Sequence, residues 1–63
     1  MQIYHYHVYF SNGFDCAYAV TACNEIAAMD DLLAEARANA AENDCQMIRY
    51  VLTGIEKNIS KNF

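Results

Sequence analysis

The alternation of residue types at the start of the chain constrains its fold more than any other feature. Residues 2–10 read Gln-Ile-Tyr-His-Tyr-His-Val-Tyr-Phe, so that His5 and His7 alternate with aromatic and β-branched residues. Successive side chains of a β-strand point to opposite faces, and these residue types favour strands. The segment therefore predicts a strand with one strongly apolar face.

A second alternating segment, residues 14–22, follows Ser11-Asn12-Gly13 and predicts a hairpin. A two-residue Asn-Gly turn would place even-numbered residues of the first strand beside odd-numbered residues of the second and mix the two faces. A three-residue loop, with Gly13 in the left-handed position of a G1 bulge, keeps one face apolar. We therefore predict the pairs Phe10–Phe14, Val8–Cys16, Tyr6–Tyr18 and Tyr4–Val20.

Residues 24–42 are predicted to form a helix. Asn24 is a suitable N-cap, and the segment up to Glu42 is rich in alanine, leucine and glutamate with no glycine or proline. Steps of three and four residues predict the buried stripe Ile26, Met29, Leu33, Ala36 and Ala40, with Leu32 flanking it. Asn43 is expected to take the left-handed conformation that ends many helices.

Residues 45–53 are predicted to form a third strand, and residues 54–63 a docked turn or frayed tail. Alternation predicts that Ile48, Tyr50 and Leu52 face the core while Met47, Arg49 and Val51 face away. The fold class expected is α+β: a β-β-α-β chain with a three-stranded antiparallel sheet, order 2-1-3, and one helix on one face. A third strand parallel to the second is the alternative, which would move the most apolar strand from the centre.

Length and charge limit the classes of function. The chain has 63 residues, 56% of them hydrophobic, which is enough for one domain over residues 1–63 and no more. Its net charge is -4 and its pI about 4.7, so direct contact with nucleic acid or an anionic membrane is disfavoured. No apolar run approaches the roughly 20 residues that a membrane-spanning helix needs.

Cysteines and catalytic patterns add little. Cys16, Cys23 and Cys45 are an odd number in no Cys-x-x-Cys spacing, so we expect a reducing, cytoplasmic location. His5 and His7 could share a metal, but zinc needs three or four ligands, so interface residues are the favoured interpretation. We expect no cofactor, no metal and no enzymatic activity.

Two surfaces are predicted to bind partners. The sheet face opposite the helix is too apolar for water alone, which indicates a partner protein or a homodimer, unless Ile55, Ile59 and Phe63 fold back over it. Its residues are Ile3, His5, His7, Tyr9, Met47, Arg49 and Val51, with Ala17, Ala19 and Thr21 beside them. The second surface is an acidic helix face, for which a solvated face that keeps the protein soluble is the favoured interpretation and a surface that meets a basic groove is the functional one. It comprises Asp30, Asp31, Glu35 and Glu42, on a stripe that includes Asn39 and starts at Ala28.

The layout resembles small phage-encoded anti-defence proteins of the anti-CRISPR type. The resemblance lies in the alternating segments 3–10 and 14–21, the helix opening Asn24-Glu25-Ile26-Ala27-Ala28, and the single returning strand. It implies a non-catalytic inhibitor in the host bacterial cytosol that binds a defence effector, such as a Cas complex, and competes with DNA through an acidic surface. A small homo-oligomerising accessory module without a nucleic-acid-related target is the alternative.

Overall fold

A three-stranded antiparallel sheet with one helix on one face makes up the part of the chain, residues 1–57, that the computed structural model describes. The elements are β1 (Gln2–Phe10), β2 (Asp15–Ala22), α1 (Glu25–Glu42) and β3 (Met47–Glu56). The strand order is β2-β1-β3, and both pairs are antiparallel. The predicted fold class and strand order are confirmed. Ile59 and Phe63 of the predicted tail lie outside the described residues.

The hairpin has the predicted register. Tyr4–Val20, Tyr6–Tyr18 and Val8–Cys16 are paired across β1 and β2. The Phe10 amide donates to the Phe14 carbonyl at 2.9 Å, so the same register continues into the turn. Gly13 has φ +88°, the left-handed conformation that glycine adopts without steric cost. The three-residue loop is therefore confirmed, although Phe14 itself lies just before β2.

The two ends of α1 are capped differently from each other. At the start, Oδ1 of Asn24 accepts from the Ala27 amide at 2.9 Å, as predicted. At the end, the prediction for Asn43 was wrong, because Asp44 takes the left-handed conformation, with φ 57°. The Asp44 amide donates to the Ala41 carbonyl and the Cys45 amide to that of Ala40, which is a Schellman motif. Asn43 instead donates its side-chain amide to the Asn39 carbonyl at 2.8 Å.

The buried stripe of α1 differs from the predicted one. It consists of residues four apart: Ala28, Leu32, Ala36 and Ala40. Ile26 is 71% exposed and Leu33 only half-buried, so both were wrongly assigned to the core. The reason is the size of the sheet side chains, because tyrosine and phenylalanine already fill the space between the layers. Small residues on the helix let it approach these rings closely.

The core forms where α1 meets the even-numbered side chains of β1. Tyr4, Tyr6, Val8 and Phe10 are each no more than 4% exposed, and Leu32 of the helix is fully buried among them. The ring of Tyr6 meets that of Tyr50 edge-on, with centroids 6.2 Å apart. Val20 and Ala22 complete the buried set from β2. One strand thus supplies most of the large side chains of this core.

Two β-bulges in β3 overturn part of the predicted alternation. Tyr9 pairs with Arg49 but Phe10 with Met47, so Ile48 is an extra residue that reverses the faces. Met47 consequently packs on the helix side, and Ile48 is 63% exposed, the opposite of the prediction for both. A second bulge lets β3 continue past Gly54, where residues 54–63 were predicted to be tail.

Candidate partner-binding surfaces

The open face of the sheet is the side of β1 that α1 does not cover. Ile3, His5, His7 and Tyr9 lie on it because they alternate with the core residues of the same strand. Their neighbours are Thr21, Ala19, Ala17 and Asp15 on β2 and Glu56, Gly54, Val51 and Arg49 on β3. No other element of residues 1–57 covers this face. Met47, which was expected here, lies on the other side of the sheet.

Polar contacts run across the open face between its aromatic rings. Nε2 of His7 donates to the Asp15 carboxylate, and Nε2 of His5 lies 3.3 Å from Oε1 of Glu56. A carboxylate only accepts hydrogen bonds, so in each pair the hydrogen is on the imidazole nitrogen. The rings of His7 and Tyr9 are 5.0 Å apart. These contacts give the open face a paired, polar character that its sequence pattern did not reveal.

A cation lies at one end of the open face. The Arg49 guanidinium is 4.5 Å from the centre of the Tyr9 ring, a cation–π contact. Between this end and Glu56 the surface is low, because Ala17, Ala19 and Gly54 carry little or no side chain. The open face is therefore a shallow, partly charged surface rather than a continuous apolar patch.

The second surface is a row of carboxylates on α1 beside β2. Asp31, Glu35 and Glu42, called the acidic row below, are all exposed. The row runs along the seam between helix and strand, because Asn39, between Glu35 and Glu42, donates to the Tyr18 hydroxyl at 2.9 Å. Ala28, expected to start the row, is fully buried instead.

Asp30 does not belong to the acidic row, although it was predicted to lie on the same helix face. It is nine residues from Asn39, about two and a half turns at 3.6 residues per turn, and so projects from the opposite side of the helix. Its neighbour Met29 accepts a hydrogen bond from Tyr50 of β3. Asp30 therefore lies on the β3 side of α1 and serves as an internal comparison for the acidic row.

A shallow cleft of about 350 Å³ follows the seam between α1 and β2. Its lining residues are Tyr18, Glu35, Ala38, Asn39 and Glu42. Burial raises the pKa of the Tyr18 phenol, and nearby Glu35 acts in the same direction, while the hydrogen bond from Asn39 opposes them. The cleft therefore combines one neutral phenol, one amide and two carboxylates, which suits a cationic side chain.

The outer edge of β2 borders this cleft and was not among the predicted binding surfaces. Hydrogen-bonded pairs alternate along an antiparallel ladder. Since Phe10 bonds to Phe14, the even-numbered residues of β2 direct their backbone groups to β1. The backbone groups of Asp15, Ala17, Ala19 and Thr21 consequently point outward. The strand order, which places β2 at an edge, was the signal that could have revealed this.

Other kinds of site find little support in residues 1–57. No group of three or more His, Cys, Asp or Glu side chains there could hold a metal ion. A cleft of about 130 Å³ beside Phe10, Phe14 and Cys45 is smaller than the roughly 300 Å³ at which small-molecule pockets begin, and a larger one of about 550 Å³ beside Ser11, Asp44 and Gln46 is wide open to solvent. Among residues 1–57, no helix is both long and apolar enough to cross a membrane.

Comparisons of the chain with protein-family models, with curated proteins and with solved structures gave no match. Function is therefore inferred from the chain's own surfaces.

Proposed function

We propose that the chain is a non-catalytic inhibitor that binds a bacterial nucleic-acid-handling defence complex by protein–protein contact. The acidic row occupies a basic surface of that complex and competes there with DNA. One observation carries the proposal: Asp31, Glu35 and Glu42 are exposed together, and the ion pairs of residues 1–57 involve none of them. Carboxylates without a cationic partner among residues 1–57 are available to the cations of another protein.

The spacing of the carboxylates limits what charge alone contributes. Asp31 and Glu42 are about 16 Å apart along the helix axis at 1.5 Å per residue. The acidic row carries three charges over this length, whereas duplex DNA carries about one charge per 1.7 Å. The row thus imitates a short and sparse stretch of phosphates. It steers association with a basic surface, and a tight complex requires neighbouring groups to contribute contacts.

A homo-oligomerising module is the second candidate, and the uncovered open face favours it. Three strands about 4.8 Å apart and about eight residues long form a patch of roughly 14 by 27 Å. That is about 400 Å², half of the roughly 800 Å² that each partner buries in a standard interface. A stable dimer through this face alone would therefore be small, which is why we place this function second.

The test is competition with DNA. The tagged chain is used to recover CRISPR effector complexes from a bacterial lysate at low and high salt, and the recovered complex is then purified and titrated with labelled DNA. We expect the chain to displace DNA, and to do so less effectively as salt screens the acidic row.

Two variants with the same net charge test whether competition depends on the acidic row itself or only on the overall negative charge of the protein. Asp31→Asn with Glu35→Gln removes two charges from the row, while Glu25→Gln with Asp30→Asn removes two charges elsewhere on α1. We expect only the first variant to lose competition by about tenfold or more, which corresponds to 1.4 kcal/mol. Equal losses, or capture of nothing but a second copy of the chain, would reject the inhibitor and leave the oligomerising module ahead.

A further inference from the structure

The outer edge of β2 has free hydrogen-bonding capacity that no described element uses. Asp15, Ala17, Ala19 and Thr21 direct their amides and carbonyls away from β1, and β2 has no neighbour on that side within residues 1–57. The register with β1 is continuous over the whole strand, so this edge is regular. Regular, unpaired edges are templates for the addition of another strand.

The opposite edge of the sheet is protected by comparison. β3 contains bulges at two places, which interrupt the row of outward backbone groups. β3 also contains the charged residues Arg49 and Glu56, and Lys57 follows it directly. Bulges and charges are the means by which edge strands avoid pairing, and β2 has no bulge and only Asp15 among its charged residues. Of the two edges, β2 is therefore the one built to accept a strand.

The charge beside β2 decides what kind of strand fits. Alternate side chains of an added strand would lie on the helix side, over the cleft with Glu35 and Glu42. The other side chains would lie beside Ala17 and Ala19, which leave room for small or apolar residues. The complementary strand thus carries lysine or arginine at alternate positions, since each would meet a carboxylate on α1.

A second copy of the chain fits this edge poorly. Two β2 strands paired antiparallel would be related by a two-fold axis perpendicular to the joined sheet, so that both helices would lie on the same face. Each acidic row borders its own β2, and the two rows would then face each other across the seam. Like charges placed opposite each other are unfavourable.

We propose that the β2 edge docks an extended basic segment of a partner protein, which adds as a fourth, antiparallel strand with its cationic side chains over the acidic row. This docking mode rests on the proposed function and supplies the contacts that three carboxylates cannot. Backbone hydrogen bonds provide affinity, and the alternation of basic and small side chains provides specificity.

A nine-residue peptide of alternating lysine and threonine is the probe, and the same nine residues in block order are the control. Both are titrated into the isotope-labelled protein and followed by NMR and amide hydrogen exchange. We expect the alternating peptide to bind about tenfold more tightly and to slow exchange at Ala17, Ala19 and Thr21. These amides should exchange fast in the free protein, whereas those of Tyr18 and Val20 should already be protected.

Two variants test the backbone and the charge separately. Ala19→Pro removes one outward amide and should weaken peptide binding by about fivefold, the value of roughly one hydrogen bond. Ala19→Val adds similar bulk, keeps the amide and should bind normally. Glu35→Gln with Glu42→Gln should abolish the preference for the alternating over the block peptide without changing exchange in the free protein. Circular dichroism confirms that each variant is folded.

The outcomes separate this docking mode from the proposed function. Equal binding of the two peptides, or unchanged exchange along β2 in the bound state, overturns the docking mode even if the chain still displaces DNA from an effector complex. Slowed exchange at the same amides in a dimer without peptide also overturns it, because the occupant is then a second copy. Peptide docking along β2 without any displacement of DNA supports the docking mode and rejects the inhibitor.

Discussion

The two faces of the sheet differ in burial, although the same central strand, β1, contributes side chains to both. On the helix side, Tyr4, Tyr6, Val8 and Phe10 are almost completely buried. On the open side, the residues between them remain partly exposed, and His5 and His7 contact carboxylates on the two neighbouring strands. The period of two along β1 therefore separates the side chains that form the core from those that stay accessible to solvent. Substitutions on the two faces should therefore have very different effects on unfolding.

The largest expected effect comes from Leu32, which has the largest fully buried side chain of α1. Leu32→Ala should lower the free energy of unfolding by about 3 kcal/mol, because it removes apolar contacts and leaves a cavity. Leu33→Ala is the matched control, since the adjacent leucine is only partly buried, and should cost about 1 to 1.5 kcal/mol. Urea unfolding followed by circular dichroism measures both. Similar losses for the two leucines would mean that α1 presents a different side to the sheet.

The sequence could predict α1 but not the side that it buries. Asn24 and the breaker-free run to Glu42 identified the helix and its N-cap. Its rotation was wrong because alanine is compatible with both buried and exposed positions, while larger side chains such as Ile26 and Leu33 suggested a stripe they do not form. The rotation is determined by the aromatic side chains of β1, which require small partners. That requirement depends on the distance between the helix and the sheet, and the spacing of apolar residues in the sequence carries no information about this distance.

A smaller effect of opposite sign is expected at Tyr6, on the covered face. Its hydroxyl is buried and has no hydrogen-bond partner among residues 1–57. A buried polar group without a partner is destabilising, so Tyr6→Phe should raise the free energy of unfolding by about 1 kcal/mol. Tyr18→Phe is the control, because it removes a hydroxyl that accepts from Asn39, and should lower stability by about 0.5 to 1 kcal/mol. A loss of stability for Tyr6→Phe would show that the Tyr6 hydroxyl has a hydrogen-bond partner in the folded protein.

The pH dependence of unfolding provides a second readout of Tyr6. Burial raises the pKa of its phenol, with smaller contributions in the same direction from Glu25, Tyr4 and Tyr50. The folded state then favours the neutral phenol, and the unfolded state ionises first near pH 10. This contribution is fully present below that pH and is lost as pH rises toward the folded-state pKa. Tyr6→Phe should therefore weaken the fall in stability above about pH 10.

The sheet was more predictable than the surfaces it carries. The register of β1 and β2 followed from the alternation and from Gly13, because a shift by one residue would have moved every core side chain to solvent. The bulge at Ile48 was not predictable, since one extra residue leaves no compositional trace while exchanging the faces of Ile48 and Met47. The three residues of the acidic row were predicted together with Asp30, which does not belong to it, and the position of the row beside the β2 edge required the three-dimensional arrangement.

The smallest expected effect is on the open face, where Arg49 lies over the Tyr9 ring. Arg49→Ala should change the free energy of unfolding by about 0.5 kcal/mol, the value typical of an exposed cation–π contact. Urea unfolding and sedimentation of the same variant distinguish a monomer from an oligomer that uses the open face. If the chain works alone, both stability and mass should be nearly unchanged. A loss of several kcal/mol accompanied by a fall in mass would show that the open face is buried in an oligomer, which would end the contrast between the two faces and favour the oligomerising module.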